Sequence, residues 1–511
     1  MTTTETGAPA RTTDPPPPAA PVPSAPWWRL AGPGLVIGAV SALYRLDHRG
    51  LWLDEAYTLG AVHQLKSSVP ETSWTMSGYY AVLRVWFWVS ESVWWMRLPS
   101  VVAALGALAV TVVVARRLAG AREACLAGIL LALSPMWLTY AQEARSYGFV
   151  MLLVAGSWLA LDHGLDPDVP ARHRRWWWLL HSVIALALPL LHGLTVLQMV
   201  PQLAVVGLAR ADRGTWLRAL RGVGLCVLIT ATLARTASDD VGNWVEPITI
   251  NSMNFTMERF LSRWVFVCLA LVVVLLVGVA VSIATARRAP TAIARARALA
   301  PVVWGLGGLA LLVLLSLARP SLVPRYAVGC VPGLALLMAA AVERAGRVRG
   351  RAPALRTVAA VVLALALAAG HVYLHTRPVD GWTVAARRIA AEAQPGDTIL
   401  LSREPTTRPP FEAAWRDVDP VNDPVLIPAD RPLGEVLRFE PDDTDATERW
   451  NQARAAGRIW VVADGVRREL DRLEELTVDG VAGRPASHRE VARWRARRST
   501  IYVVLLEPIA R

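Results

Sequence analysis

Trp264-Val265-Phe266-Val267-Cys268-Leu269-Ala270-Leu271-Val272-Val273-Val274-Leu275-Leu276-Val277-Gly278-Val279-Ala280-Val281-Ser282-Ile283-Ala284 carries no charge, and it is bracketed by Arg263 and Arg287. A bilayer span needs about 20 mostly apolar residues, so this stretch reads as a membrane-crossing helix. Working outward by the same criterion, further spans fall near 29–46, 98–115, 123–139, 146–161, 176–192, 194–209, 219–235, 298–318, 326–342 and 357–374. Composition agrees: of 511 residues 54% are hydrophobic and 18% charged, with a mean hydropathy of +0.36. An ordinary soluble enzyme of this length is more polar. The expected fold is an all-α polytopic membrane protein of about 11 transmembrane helices, residues 27–374, followed by a small α/β domain over 375–511.

The net charge of +12 is not the mark of a nucleic-acid groove, because the positive excess lies between the apolar runs and not after His375. With the amino terminus inside, the inner loops hold Arg116, Arg117 and Arg122, then Arg172, Arg174 and Arg175, then Arg287, Arg288, Arg295 and Arg297, then Arg344 and Arg347. That is the positive-inside pattern, and it places the segment after His375 outside the cell membrane. Cys125, Cys226, Cys268 and Cys330 fall in or beside apolar runs without metal-ligand spacing, as small buried residues do. Residues 1–26, with a proline run at Pro15 to Pro18, read as a disordered cytoplasmic tail.

The apolar run Tyr79 to Val89 is too short to span and fits an interfacial helix. Trp52, Trp86, Trp94, Trp95 and Trp176 to Trp178 stand at expected interfaces, where an indole anchors. After His375 the pattern turns to helix Trp382 to Ala393, a Pro395-Gly396-Asp397 turn and strand Thr398 to Leu401, with further strands at Arg458 to Val462 and Thr500 to Leu506 and a helix Val466 to Leu476.

Three segments on the outer side could do chemistry. Leu51-Trp52-Leu53-Asp54-Glu55-Ala56-Tyr57 follows the first span, and two adjacent acids beside a membrane either contact water or serve a site. Tyr140-Ala141-Gln142-Glu143-Ala144-Arg145-Ser146-Tyr147 is a short loop on the same side, where Arg145 either snorkels to headgroups or binds a ligand. Arg319-Pro320-Ser321-Leu322-Val323-Pro324-Arg325-Tyr326 keeps two cations on the side that ordinarily lacks them, which suits an anionic ligand or a lipid phosphate. Acids and arginines on one face form the minimum set for glycosyl transfer from a lipid phosphate: a base for the acceptor hydroxyl and cations for the departing phosphate.

The order Trp-x-Asp-Glu, Tyr-Tyr-x-x-Leu-Arg at Tyr79 to Arg84, Arg97-Leu98-Pro99-Ser100, Ser134-Pro135, Gln142 to Tyr147 and Arg325-Tyr326 resembles the GT-C glycosyltransferases over about residues 27–345. It is most similar to the bacterial branch related to protein O-mannosyltransferases and lipid A aminoarabinose transferases, and the tail resembles the extracytoplasmic domains of actinobacterial members. The resemblance implies a donor of the polyprenyl-phosphate-sugar type, with mannose the expected sugar, and a glycan, lipid or protein acceptor. Carried onto this chain, Asp54 is the general base and Glu55 orients it or the acceptor. Arg145 and Arg325 hold the donor phosphate with Tyr147 and Tyr326 as hydrogen-bond donors, and Glu143, Tyr79 and Tyr80 contact substrate. No cofactor is implied, and a divalent metal stays open. The competing class is a transporter or flippase of lipid-linked envelope precursors, which would show repeated halves with polar groups at the bilayer midplane. No such repeat is visible, and the polar motifs crowd one face.

Overall fold

The computed structural model describes residues 26–72, 74–236, 245–345, 352–376, 379–401, 407–422, 424–427, 457–464, 488–496 and 499–509. The expected tail, but for Pro26, and the expected helix Val466 to Leu476 lie outside them. Among the described residues, seven helices are long and apolar enough to cross a membrane: Val93–Leu118, Tyr147–Leu165, Arg213–Arg235, Val265–Arg287, Ala292–Ala318, Pro324–Ala345 and Pro353–His375. An eighth results if Ala121–Ala132 and Pro135–Ala141, bent by 61°, count as one span.

Seven or eight of the expected spans, and not all of about 11, thus meet the length and hydropathy that a bilayer crossing needs, although every expected segment is helical. Trp27–Leu43 has only 17 residues. Ala171–Leu191 opens on Ala-Arg-His-Arg-Arg, which dilutes its apolar stretch. The segment after Gly193 is split into Gly193–Thr195, Val196–Met199 and Gln202–Leu208, since Pro201 has no N–H to continue a helix. The bend at Ser134 has the same origin: Ser134 caps the helix that begins at Pro135 by accepting from Trp137 N at 3.5 Å.

Small residues let the spans approach closely, as packing in lipid requires. A Cβ on Gly278 would lie 2.2 Å from the Leu337 carbonyl oxygen, and one on Gly333 would lie 2.3 Å from Gly305 N. At one end of the bundle the Asp162 and Asp166 carboxylates accept from both Arg117 and Arg297, tying three helices together. The short apolar run after Ser77 forms the helix Ser77–Trp86, burying Tyr79, Tyr80 and Leu83.

The carboxy-terminal domain is a five-stranded sheet in the order β2-β1-β3-β5-β4, where β1 is Thr398–Leu401, β2 Val425–Ile427, β3 Ile459–Asp464, β4 His488–Arg495 and β5 Ile501–Pro508. β1 pairs in parallel with β2 and β3, and β5 is antiparallel to β3 and β4. Helix Gly381–Glu392, capped by Asp380, buries Trp382, Ala386 and Ile389 against this sheet. The domain is docked on the rest of the chain. Asp380 Oδ2 accepts from Gly50 N at 2.7 Å, and Arg416 donates to Glu91 at 2.8 Å. Ala413, from helix Arg408–Trp415, completes an apolar cluster with Leu51, Ala56, Leu59, Met96 and Ala144.

Candidate active site

Asp54 and Glu55 lie in the first turn of the helix Leu53–His63, which begins after Trp52. Acids there complement the positive end of the helix dipole, and the segment that follows the first span is helical from Leu53. Successive residues on a helix point in different directions, and here that separates the two carboxylates.

Glu55 points inward and is fully buried. Its Oε1 accepts from Arg97 Nε at 2.8 Å and from Ala144 N at 2.7 Å, while its Oε2 accepts from Arg97 Nη2 at 2.6 Å and from Trp52 N at 3.4 Å. Both oxygens of a buried carboxylate are thus engaged by donors, the arrangement a buried charge needs. Arg97 in turn donates to the carbonyls of Leu46, Arg49 and Gly50, fixing the chain that leads into the helix.

Asp54 faces the other way. Its Oδ2 lies 3.5 Å from Arg325 Nη2 and 3.7 Å from Arg145 Nη2, too long for good hydrogen bonds, and it has none in the structure. One carboxylate therefore stands between two guanidiniums contributed by segments far apart in the chain. Arg145 is anchored from behind: its Nη1 donates to the Asp54 carbonyl and to Thr58 Oγ1, both at 3.0 Å. Burial opposes its charge, but Asp54 and the phenols of Tyr80 and Tyr147 hold the guanidinium pKa above the ordinary arginine range. Arg325 lies 5.8 Å from the ring centre of Trp52 and 5.7 Å from that of Tyr326, within cation–π range.

The loop Gln142 to Ser146 is held at four points. Gln142 donates to the carbonyls of Ser41, Ala42 and Tyr44 at the end of the first helix, Ala144 N to Glu55, Ser146 Oγ to Leu191 O, and Ser100 Oγ to Arg145 O. Close approach at its exit demands glycine: a Cβ on Gly148 would sit 2.5 Å from the Ser100 oxygen. Glu143 is half-buried beside Asp54 and Glu55, with Oε2 unpartnered. Burial first, then the Glu55 charge, pushes its pKa up to about 8.

Of the residues expected from sequence, Asp54, Arg145 and Arg325 come together. Tyr147 stacks edgewise on Tyr140 at 4.9 Å and lies 5.9 Å from the His192 ring, which is 4.6 Å from the Tyr326 ring. Tyr79 and Tyr80 are buried: the Tyr79 hydroxyl bonds Ser100 Oγ at 3.1 Å, and that of Tyr80 points at Met76 Sδ. Just before them Trp74 and Met76 take left-handed backbone angles, φ 60° and 68°, which are uncommon for such side chains. Sequence reasoning read Trp52 only as an interfacial anchor, quoted Arg97 within a motif without giving it a partner, and passed over His192. Arg97 stands where a span begins, and His192 follows an apolar run without a motif around it. Among the described residues no three His, Cys, Asp or Glu side chains group as a metal site would require.

No family model matches the chain, and no curated protein does. Solved structures do match. ArnT from Cupriavidus metallidurans bound to undecaprenyl phosphate superposes with a TM-score of 0.57 at 20% identity, covering 94% of this chain and 97% of that one; its apo state gives 0.55 at 19%, with the same coverage. The oligosaccharyltransferase AglB from Archaeoglobus fulgidus, in complex with an inhibitory peptide and a dolichol-phosphate, gives 0.55 at 12% identity over 93% of this chain and 74% of that one. The chain thus shares its overall fold with these structures.

Proposed function

We propose that the chain is a membrane glycosyltransferase that moves a sugar from a polyprenyl phosphate to an acceptor hydroxyl on a glycan, lipid or protein, outside the cytoplasm. The observation that carries this reading is the Asp54 carboxylate set between Arg145 and Arg325, with an oxygen that lacks a hydrogen-bond partner. The likeness to folds solved with undecaprenyl phosphate and dolichol-phosphate supports the donor class.

In the reaction the acceptor oxygen attacks the anomeric carbon and its proton passes to Asp54. The bond from that carbon to the phosphate oxygen breaks, and the lipid phosphate departs as an anion. A single displacement of this kind inverts the anomeric configuration. Arg145 and Arg325 hold the phosphate as charge develops on it, since paired guanidinium N–H groups suit phosphate oxygens. Tyr147 and Tyr326 flank that position and supply hydroxyl donors. Glu143 lies where it contacts the acceptor or the sugar. Glu55 positions Asp54 through the helix both share and does not itself meet substrate. Mannose is the sugar by resemblance, and the Asp54 face and the sheet domain are extracytoplasmic because the arginine-rich loops lie at the other end of the spans.

The test incubates membranes holding the wild type or Asp54→Asn with a panel of labelled polyprenyl-phosphate sugars and follows label leaving the lipid. General base catalysis contributes about 10² to 10⁴ in rate, so single-turnover transfer should fall by that order in Asp54→Asn while donor binding persists. Transfer at the wild-type rate by Asp54→Asn would remove this residue from the mechanism.

A further inference from the structure

A cavity of about 950 Å³ lies at the end of the bundle away from Asp54. One wall is a stripe of the span Val265–Arg287: Val277, Ala280, Val281 and Ala284 recur at three- and four-residue spacing, which places them on one helix face. The stripe runs about 10 Å along the helix axis. Ile293 and Ala298 form the facing wall, and the rim is basic. Arg288 follows the last turn of the first helix, and Arg344 lies in the last turn of Val331–Ala345. Both are exposed, and neither has an ion-pair partner among the described residues. Arg297 also lines the cavity, but its guanidinium is committed to Asp162 at 2.7 Å and Asp166 at 2.8 Å. The remaining acid among the lining residues is the exposed Asp168, so among the described residues two unpaired cations face one unpaired carboxylate.

We propose that this cavity binds an anionic diacyl phospholipid, its phosphate between Arg288 and Arg344 and an acyl chain along the Val277 to Ala284 stripe. The charge of the rim selects the occupant. A zwitterionic lipid carries its own cation beside the phosphate and so offers the two arginines no net counter-charge, and a free phosphate would leave the apolar wall without a chain to cover it. Asp168 adds a preference for a headgroup with hydroxyl groups beyond its phosphate, which can donate to a carboxylate. Basic pockets between helix ends are a recurrent solution for anionic headgroups. The site stands apart from the transfer reaction and needs only that the chain spans a membrane.

The experiment uses the full chain purified in a neutral detergent and titrated, under native mass spectrometry, with phosphatidylglycerol and phosphatidylcholine of matched chains. A cation near an anionic headgroup is worth about a factor of five in binding. Arg288→Gln and Arg344→Gln should each weaken phosphatidylglycerol retention by about that factor, and the double variant should bring it to the phosphatidylcholine level. Both side chains are exposed, so these variants keep the packing. Ala284→Trp fills the groove without touching a charge and should also remove the preference. Inorganic phosphate at millimolar concentration should not displace the lipid. Undiminished phosphatidylglycerol preference in the double variant, or in Ala284→Trp, would overturn the proposal. Displacement by inorganic phosphate would overturn it too, leaving a phosphate site without a lipid.

Discussion

Replacing Glu55 with Gln should cost stability, whereas replacing its neighbour Asp54 with Asn should cost chemistry. The Glu55 carboxylate receives four donors, two on each oxygen. A glutamine turns one oxygen into an amide NH₂, so two of those donors would meet another donor in a fully buried site. Arg97, itself almost wholly buried, would also lose its counter-charge. Breaking a buried ion pair by removing one partner costs about 3–5 kcal/mol, and Arg97→Met should cost a similar amount from the other side. With both changed, the losses should fall short of additive, because neither partner is then left as a lone buried charge. The assay is thermal unfolding of the purified protein in detergent, beside single-turnover transfer normalised to folded protein. If Glu55→Gln unfolds like the wild type yet loses transfer, Glu55 takes part in the reaction and the division of roles drawn from the geometry is wrong.

Arg145→Lys and Arg325→Lys keep the charge but lose the planar fork, and should weaken binding of undecaprenyl phosphate, measured by titration, by about tenfold or more; wild-type affinity in both would assign these arginines to the resting structure alone. For Glu143 the sign follows from a carboxyl pKa raised to about 8. The folded state keeps a proton that the unfolded state releases near the ordinary carboxylate value, so stability falls as pH rises from about 4.5 toward 8. Glu143→Gln should flatten that part of a melting-temperature profile, and an unchanged slope would refute the shift. Single cysteines at Val421 and Thr285, in an otherwise cysteine-free chain, report sidedness: an impermeant maleimide should label the first and not the second in intact cells, and the reverse would invert the topology.

The parts of this fold legible in the sequence are those that depend on local pattern. The uncharged run after Trp264 is a helix from Val265, and β1 spans the expected Thr398 to Leu401. The meeting of Asp54, Arg145 and Arg325 was legible too, because charges retained on one membrane face have few places to go. The pairing of Glu55 with Arg97 was not. Arg97 sits at the head of a span where an arginine ordinarily snorkels, and only the tertiary path brings a residue 42 positions away onto the carboxylate. Strand β4 was hidden because the pairs Arg489-Glu490 and Val491-Ala492 break the two-residue alternation of His488–Arg495, at the register shift between Glu490 and Ala492. Helix Arg408–Trp415 was hidden by Pro409 and Pro410, which break helices elsewhere but sit here in its first turn.

The docking of the sheet domain sets a clock on assembly. Gly50 and Asp380 are 330 residues apart, and Glu91 and Arg416 are 325 apart, so the helix bearing Asp54 leaves the ribosome well before its partners exist. At roughly 5–20 residues per second the interval is about 15–65 s. Throughout that time Leu51, Ala56 and Leu59 lack the Ala413 that closes their cluster, and the segment before the helix lacks the Asp380 that receives Gly50 N. The spans can insert and pack meanwhile, but the Asp54 carboxylate gains its full frame only when translation is nearly done. A chain cut short between Tyr326 and Asp380 would therefore hold Asp54, Arg145 and Arg325 and still present them loosely, so that the final stretch of synthesis fixes the arrangement of groups made long before it.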